Sequence, residues 1–194
     1  MIELQPMSPA EFQVYLERSV AEYADDKVKA GNWPQAGALE RSRQEFKKYL
    51  PQGLDTPENF LRTLIDRETG APVGMIWYAP LPGSTDPAWF VYDFYIEPGQ
   101  RRRGYASQSL AALEDQARAQ GIKAIALHVF GHNTTARALY EKMGYEITNI
   151  NMVRKWRRAN LTRPPPSAET RCRCSVPSNW SRPRPSARTP GRPG

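Results

Sequence analysis

An α/β sandwich, in which helices flank a mixed β-sheet, is the fold class this chain predicts. Segments dense in branched and aromatic residues alternate with segments of helical apolar spacing, and glycine or proline marks nearly every junction. One helix also joins two strands as a crossover, which makes them neighbours in one sheet.

The elements follow in order along the sequence. IELQP, residues 2 to 6, reads as a short strand. Ser8 with Glu11 three residues later forms a capping box opening a helix toward about Ala30. GNWP breaks that helix, and Pro34 suits the start of a second one running to about Leu50. FLRTLIDR (60 to 67) and PVGMIWYA (72 to 79) flank the turn ETGA and read as an antiparallel hairpin that Pro80, Pro82 and Gly83 end. WFVYDFYIEP, residues 89 to 98, is a strand stopped by proline. ASQSLAALEDQARAQ carries Leu110, Leu113 and Ala117 at helical spacing, with Gly121 as its stop. IKAIALHVF, residues 122 to 130, is the strand after the crossover. Asn133 caps a short helix through Met143, and YEITNINMVRKW supplies one or two closing strands.

Charge divides the chain in two. Its formal net charge is +7, yet residues 1 to 157 hold nineteen basic and nineteen acidic side chains. The excess lies in residues 158 to 194, which hold eight arginines, one glutamate and eight prolines, with one leucine and one valine. Such a segment buries too little apolar surface to offset its ordering entropy, so the expected organisation is one domain over 1 to 157 and an Arg/Pro-rich disordered tail over 158 to 194. A balanced domain argues against nucleic acid as the partner. The only cysteines, Cys172 and Cys174, sit in the tail as CRC, which is neither a zinc nor a redox spacing. His128 and His132 have no second ligand at metal spacing, so no metal is expected. The N-terminus lacks a signal-peptide pattern and no run of about 18 apolar residues occurs, so no membrane association and a cytoplasmic location are expected.

The stretch QRRRGYA, Gln100 to Ala106, joins a strand end to the first turn of a helix. There the backbone N–H groups lack intrahelical partners and the helix dipole favours an anion. Gly104 permits close backbone approach and Ala106 leaves the approach open, so a diphosphate fits. The spacing is neither GxGxxG nor GxxxxGK[ST].

Arg101-x-x-Gly104-x-Ala106 after a strand ending in Pro98 resembles the acetyl-CoA pyrophosphate motif of the GNAT N-acetyltransferase superfamily. HNTTARALYEKMGYE resembles that family's second block through Asn133, Ala136, Leu139, Tyr140, Gly144 and Tyr145, in the same order and separation. The resemblance covers about residues 1 to 157. It implies a mixed, mostly antiparallel central sheet flanked by helices, with a splayed strand pair binding acyl-CoA, and acetyl-CoA as cosubstrate. The implied splay lies between Trp89 to Glu97 and Ile122 to Phe130, with a bulge around Tyr95 to Glu97 freeing an N–H for the thioester carbonyl. The implied cofactor-binding set is Tyr95, Ile96, Glu97, Arg101, Arg102, Arg103, Gly104, Tyr105, Ala106, Asn133 and Ala136. Arg101 matches the first motif position, and Arg102 and Arg103 supply charge around the phosphates. For Asn133 the resemblance implies binding of the pantetheine or fixing of the adjoining loop.

Acetyl transfer to an amine needs a neutral nucleophile, an oxyanion site and a proton source for sulfur. Tyr140, protonated at neutral pH, is implied as that source, against the plainer reading of a helix residue packed on the sheet. Asp93 and Glu97 are the candidate bases. Asp93, Tyr95 and Glu97 share one strand face unless a bulge intervenes, and one after Tyr92 alters that parity. The domain lacks cysteine, in keeping with direct transfer. The acceptor region is roughly residues 22 to 36 and 77 to 95. Glu22, Asp25, Asp26 and Asp93 are candidates to receive a cationic amine, if they are not merely solvated helix charges. Trp33, Trp77, Tyr78, Trp89 and Tyr92 are candidates for an apolar wall. The expected activity is bacterial N-acetylation of a small-molecule amine. The alternatives are a protein or peptide N-terminal acetyltransferase, or a catalytically silent acyl-CoA-binding regulator. A homodimer through Ile147 to Trp156 is a further expectation.

Overall fold

The computed structural model describes residues 1–154, which fall into Met1–Thr148 and a second unit beginning at Asn149, each taken by itself. The predicted tail over 158 to 194, with Cys172 and Cys174, lies outside the described residues, as does Trp156 of the predicted dimer surface.

The first unit runs β1 (Ile2–Pro6), α1 (Pro9–Lys29), α2 (Ala38–Tyr49), β2 (Phe60–Asp66), β3 (Pro72–Pro80), β4 (Ala88–Ile96), α3 (Tyr105–Ala119), β5 (Ala124–Leu127) and α4 (Thr134–Lys142). The sheet order is β1-β2-β3-β4-β5. The first four strands form an antiparallel meander, and α3 crosses over to lay β5 parallel to β4. A mixed, mostly antiparallel sheet flanked by helices is therefore the architecture.

Helix α1 starts where the capping box requires: the Glu11 N–H donates to Ser8 Oγ (3.3 Å) and the Ser8 N–H to Glu11 Oε2 (2.7 Å). The two sheet faces bury separate clusters. Leu64, Ile76, Tyr78, Trp89 and Val91 pack with Tyr105, Leu113 and Ala117 of α3. On the opposite face, Leu61, Met75 and Trp77 pack with Phe12, Tyr15 and Val20 of α1 and Phe46 of α2. Strand β3 is buried along both faces, which explains its continuous apolar run.

Several boundaries differ from the sequence reading. Helix α2 begins at Ala38 instead of Pro34, because the chain turns through residues 31 to 37 first. Strand β5 is four residues long instead of nine, because only Ala124–Leu127 find partners on β4. The stretch from Tyr145 to Arg154 holds no strand, and Ile147 is left exposed. The bulge lies at Tyr92 and not around Tyr95 to Glu97: Asp93 faces Trp77 and Val91 faces Tyr78, leaving Tyr92 as the extra residue.

Candidate active site

The bulge and the splay coincide. Strand β4 pairs with β5 only through Val91, so Tyr92–Ile96 continue for five residues with one edge uncovered by β5. Beyond Leu127 the chain leaves β4 for α1. Phe130 packs on Tyr23 (6.5 Å between centroids), and His132 Nε2 lies 2.9 Å from Asp26 Oδ1.

Pairing parity decides which backbone groups face that open edge. The Glu97 N–H donates to Val73 O (2.9 Å), so Val73 and Glu97 are a hydrogen-bonded pair, and alternation makes Met75 with Tyr95 and Trp77 with Asp93 the next two. The N–H and C=O groups of Phe94 and Ile96 consequently point away from β3, into the splay. Of the three strand residues expected to meet the cofactor, Ile96 turns its N–H there, Tyr95 pairs with β3, and Glu97 donates to Val73 O while its carbonyl accepts from the Gln100 N–H. Phe94 also turns its backbone that way, which its ordinary strand side chain does not signal and only parity exposes. Gly74 sits opposite Ile96 and permits this close pairing: a Cβ on it would lie 2.1 Å from Tyr95 O.

The loop before α3 is open at the helix end. Gly104 is the N-cap, in the left-handed region (φ 82°), with no side chain capping the helix, and Arg102 also has positive φ (60°). Arg101 turns back, donating from Nε to Ile96 O (2.9 Å) and thereby tying the loop to the free edge of β4. Arg103 donates to Gln100 Oε1 at the surface (2.6 Å). Tyr105 contributes only its backbone to this end, since its ring is buried and its hydroxyl donates to Asp66 Oδ2 on β2 (2.8 Å). Ala106 packs against the core. Asn133 caps α4 by accepting from the Ala136 N–H (3.1 Å), which fixes the loop and also occupies that N–H.

Tyr15, Arg18, Ser19 and Glu22, one stripe of α1, face this part of β4. Asp93 lies deep beneath them but keeps surface that solvent reaches. Burial raises its pKa, while the Ser19 hydroxyl, Arg18 and the Tyr15 hydroxyl oppose that rise. The Tyr15 and Ser19 hydroxyls are buried and complete no hydrogen bond. Burial pushes the Tyr140 hydroxyl up to about 12, with the Asp93 charge adding to the shift, so the two groups are electrostatic neighbours. Glu97 is more exposed and pairs with Arg18 Nη1 (3.5 Å).

The bulge also sorts the acceptor candidates. Tyr78 and Trp89 are buried against the α3-side cluster, so they cannot form the predicted wall; alternation points them away from α1. Trp77 and Tyr92 stack on the α1–α2 side with centroids 4.7 Å apart, and Trp33 packs on Tyr23. Asp25 and Glu22 are both exposed, and Glu22 is near enough to Asp93 and Asp26 to feel both charges. Among the described residues, no group of His, Cys, Asp or Glu side chains is arranged to hold a metal ion, and no helix is long and apolar enough to cross a membrane.

A splayed strand pair beside a helix N-terminus that no side chain caps is the arrangement that the GNAT resemblance implies for holding acyl-CoA. The chain belongs to the GNAT N-acetyltransferases: the Acetyltransferase (GNAT) family profile matches residues 25–145. It is 43% identical over 154 residues to the Bacillus subtilis protein described as "Uncharacterized N-acetyltransferase YycN", covering 79% of this chain and 98% of that one. A second B. subtilis protein, "Uncharacterized N-acetyltransferase YdgE", is 34% identical over 149 residues, 77% of this chain and 94% of its own. The crystal structure of YycN superposes with a TM-score of 0.76, covering 80% of this chain and 99% of that one. A GNAT protein from Ralstonia eutropha, 18% identical with a TM-score of 0.58, covering 80% of this chain and 99% of its own, shares the fold. The chain is accordingly an N-acetyltransferase with acetyl-CoA as cosubstrate.

Proposed function

We propose that the protein moves the acetyl group of acetyl-CoA directly to a primary amine of a small molecule, with Asp93 as base and Tyr140 as acid. The observation that carries this reading is the uncovered edge of β4 from Tyr92 to Ile96, which bears Asp93 just beyond the bulge.

The residues present fit the cosubstrate. The open N-terminus of α3, with Arg101, Arg102 and Arg103 beside it, suits a diphosphate, and the Phe94 backbone and Ile96 N–H, turned away from β3, suit the amides of an extended arm. Acetyl-CoA supplies an activated thioester carbonyl when bound. Tyr92, the unpaired bulge residue, is the candidate to present an N–H to that carbonyl oxygen. Asp93 takes a proton from the incoming ammonium, the neutral amine attacks the carbonyl carbon, the C–S bond breaks as Tyr140 gives its proton to the departing sulfur, and the second proton shed by the nitrogen restores the Tyr140 hydroxyl. Glu97, held by Arg18 at the surface, serves the positioning of this edge better than proton transfer. Glu22 and Asp26 give the approach on α1 an acidic lining, which favours a cationic acceptor.

The test is acetyl-CoA turnover by the full chain on pooled polyamines, aminoglycosides, amino acids and N-terminal peptides, read by product mass. An acetylated small amine, lost in Tyr140→Phe and Asp93→Asn, is expected. Product from peptides alone would replace the small-molecule reading, and acetyl-CoA binding with no product from any pool would overturn the proposed transfer.

A further inference from the structure

Arg18 was not singled out by sequence, and the transfer steps above do not use it as a reacting group. It projects from the third turn of α1 onto the end of β4. Its guanidinium carbon lies 3.6 Å from the centroid of the Tyr95 ring, a contact-distance cation–π pair. Nη1 lies 3.5 Å from Glu97 Oε1, and Nε lies 3.8 Å from Glu22 Oε2. Nε and Nη2 are shut off from solvent and complete no hydrogen bond.

A guanidinium so placed is costly to the fold, since buried donors without partners forfeit their hydration. The charges around it show what it offsets. Asp93, Glu22 and Glu97 converge on this end of β4, with Arg18 and Arg101 as the cations acting on the cluster. The groups that act on Asp93 are Tyr15, Arg18, Ser19 and Glu22 from α1, Tyr140 from α4 and the adjoining Phe94 N–H, while Trp77 faces it from β3. Arg18 is the cation of that set.

We infer that Arg18 is a positioning residue for the transfer: it holds Tyr95 and Glu97 at the free edge of β4 and is the cation on the strand face that Asp93 shares with them. This rests on the proposed role of Asp93 as base. The sign is fixed by electrostatics: removing a nearby cation destabilises the ionised carboxylate, so Asp93 then loses its proton only at higher pH.

The experiment titrates the Asp93 side-chain carboxyl by 13C NMR in the full chain, with the resonance assigned from its disappearance in Asp93→Asn. In Arg18→Gln the midpoint rises by about one pH unit, and Arg18→Lys, which restores the charge, returns it toward the wild-type value. Arg18→Met, which keeps the packing of the stem, gives the same rise and serves if Arg18→Gln does not fold. A midpoint unmoved in a folded Arg18→Gln or Arg18→Met protein overturns the inference. No acceptor is needed, so this arm is separate from the base assignment, which turnover of Asp93→Asn decides: full activity there removes the base role whatever the titration shows.

Discussion

Replacing Gly74 by alanine tests whether the free edge of β4 depends on its pairing with β3. A Cβ at Gly74 would lie 2.1 Å from Tyr95 O and 3.0 Å from Ile96 Cα, against 3.4 Å or more for an ordinary contact. Both neighbours are backbone, so no side chain can swing aside, and β4 must move by more than about 1 Å at the residues whose backbone faces the splay. Overpacking of this kind costs about 1–3 kcal/mol, which lowers Tm by about 2–12 °C in a domain of this size. A displacement of about 1 Å in a positioning strand also lowers turnover by about 100-fold. Thermal unfolding and turnover measure the two effects, and calorimetric titration with acetyl-CoA reads the binding edge directly. Gly99→Ala is the control, since a Cβ there meets nothing within 4 Å. A Gly74→Ala protein with wild-type Tm and wild-type acetyl-CoA affinity would refute the pairing argument.

Tyr140→Phe is expected to lower kcat by at least about 100-fold while acetyl-CoA still binds, as followed by turnover and calorimetry. Because the Tyr140 hydroxyl is pushed up to about 12, the acid form persists through the working range, so the kcat profile shows no alkaline fall from this group below about pH 10. Asp93→Asn removes the acidic limb of kcat/KM, and in wild type that limb lies above the ordinary carboxylate value of about 3.9, because burial raises the Asp93 pKa. Asp66 behaves oppositely. The Glu68 N–H and the Tyr105 hydroxyl hold its pKa down, so its contribution to stability is present above the unfolded value and lost as pH falls through the lower folded value. Asp66→Asn therefore flattens the acid side of the stability curve in denaturant titrations at a series of pH values. Gly104→Val forces a branched residue into the left-handed region (φ 82°) at the open end of α3, and weaker acetyl-CoA binding by calorimetry is the expected result.

What the sequence determined by itself was local. The Ser8–Glu11 box, the Asn133 cap and the glycine before α3 act within a few residues of chain, so their geometry follows from residue type and spacing. The crossover helix likewise implied that β4 and β5 are neighbours. Tertiary structure decided where that pairing ends, where the bulge falls and what the bulge does to side-chain direction. A bulge is a mismatch between two strands, so neither strand's own sequence locates it; Tyr92 becomes the extra residue only through the register with β3. That register turned Tyr78 and Trp89 toward α3 and brought Asp93 beneath α1. It also freed the backbone of Phe94, which no side-chain pattern records. Arg18 was illegible for the same reason: on a helix an arginine four residues before a glutamate reads as solvated charge, and its contacts with Tyr95 and Glu97 exist only once α1 is packed across the end of β4.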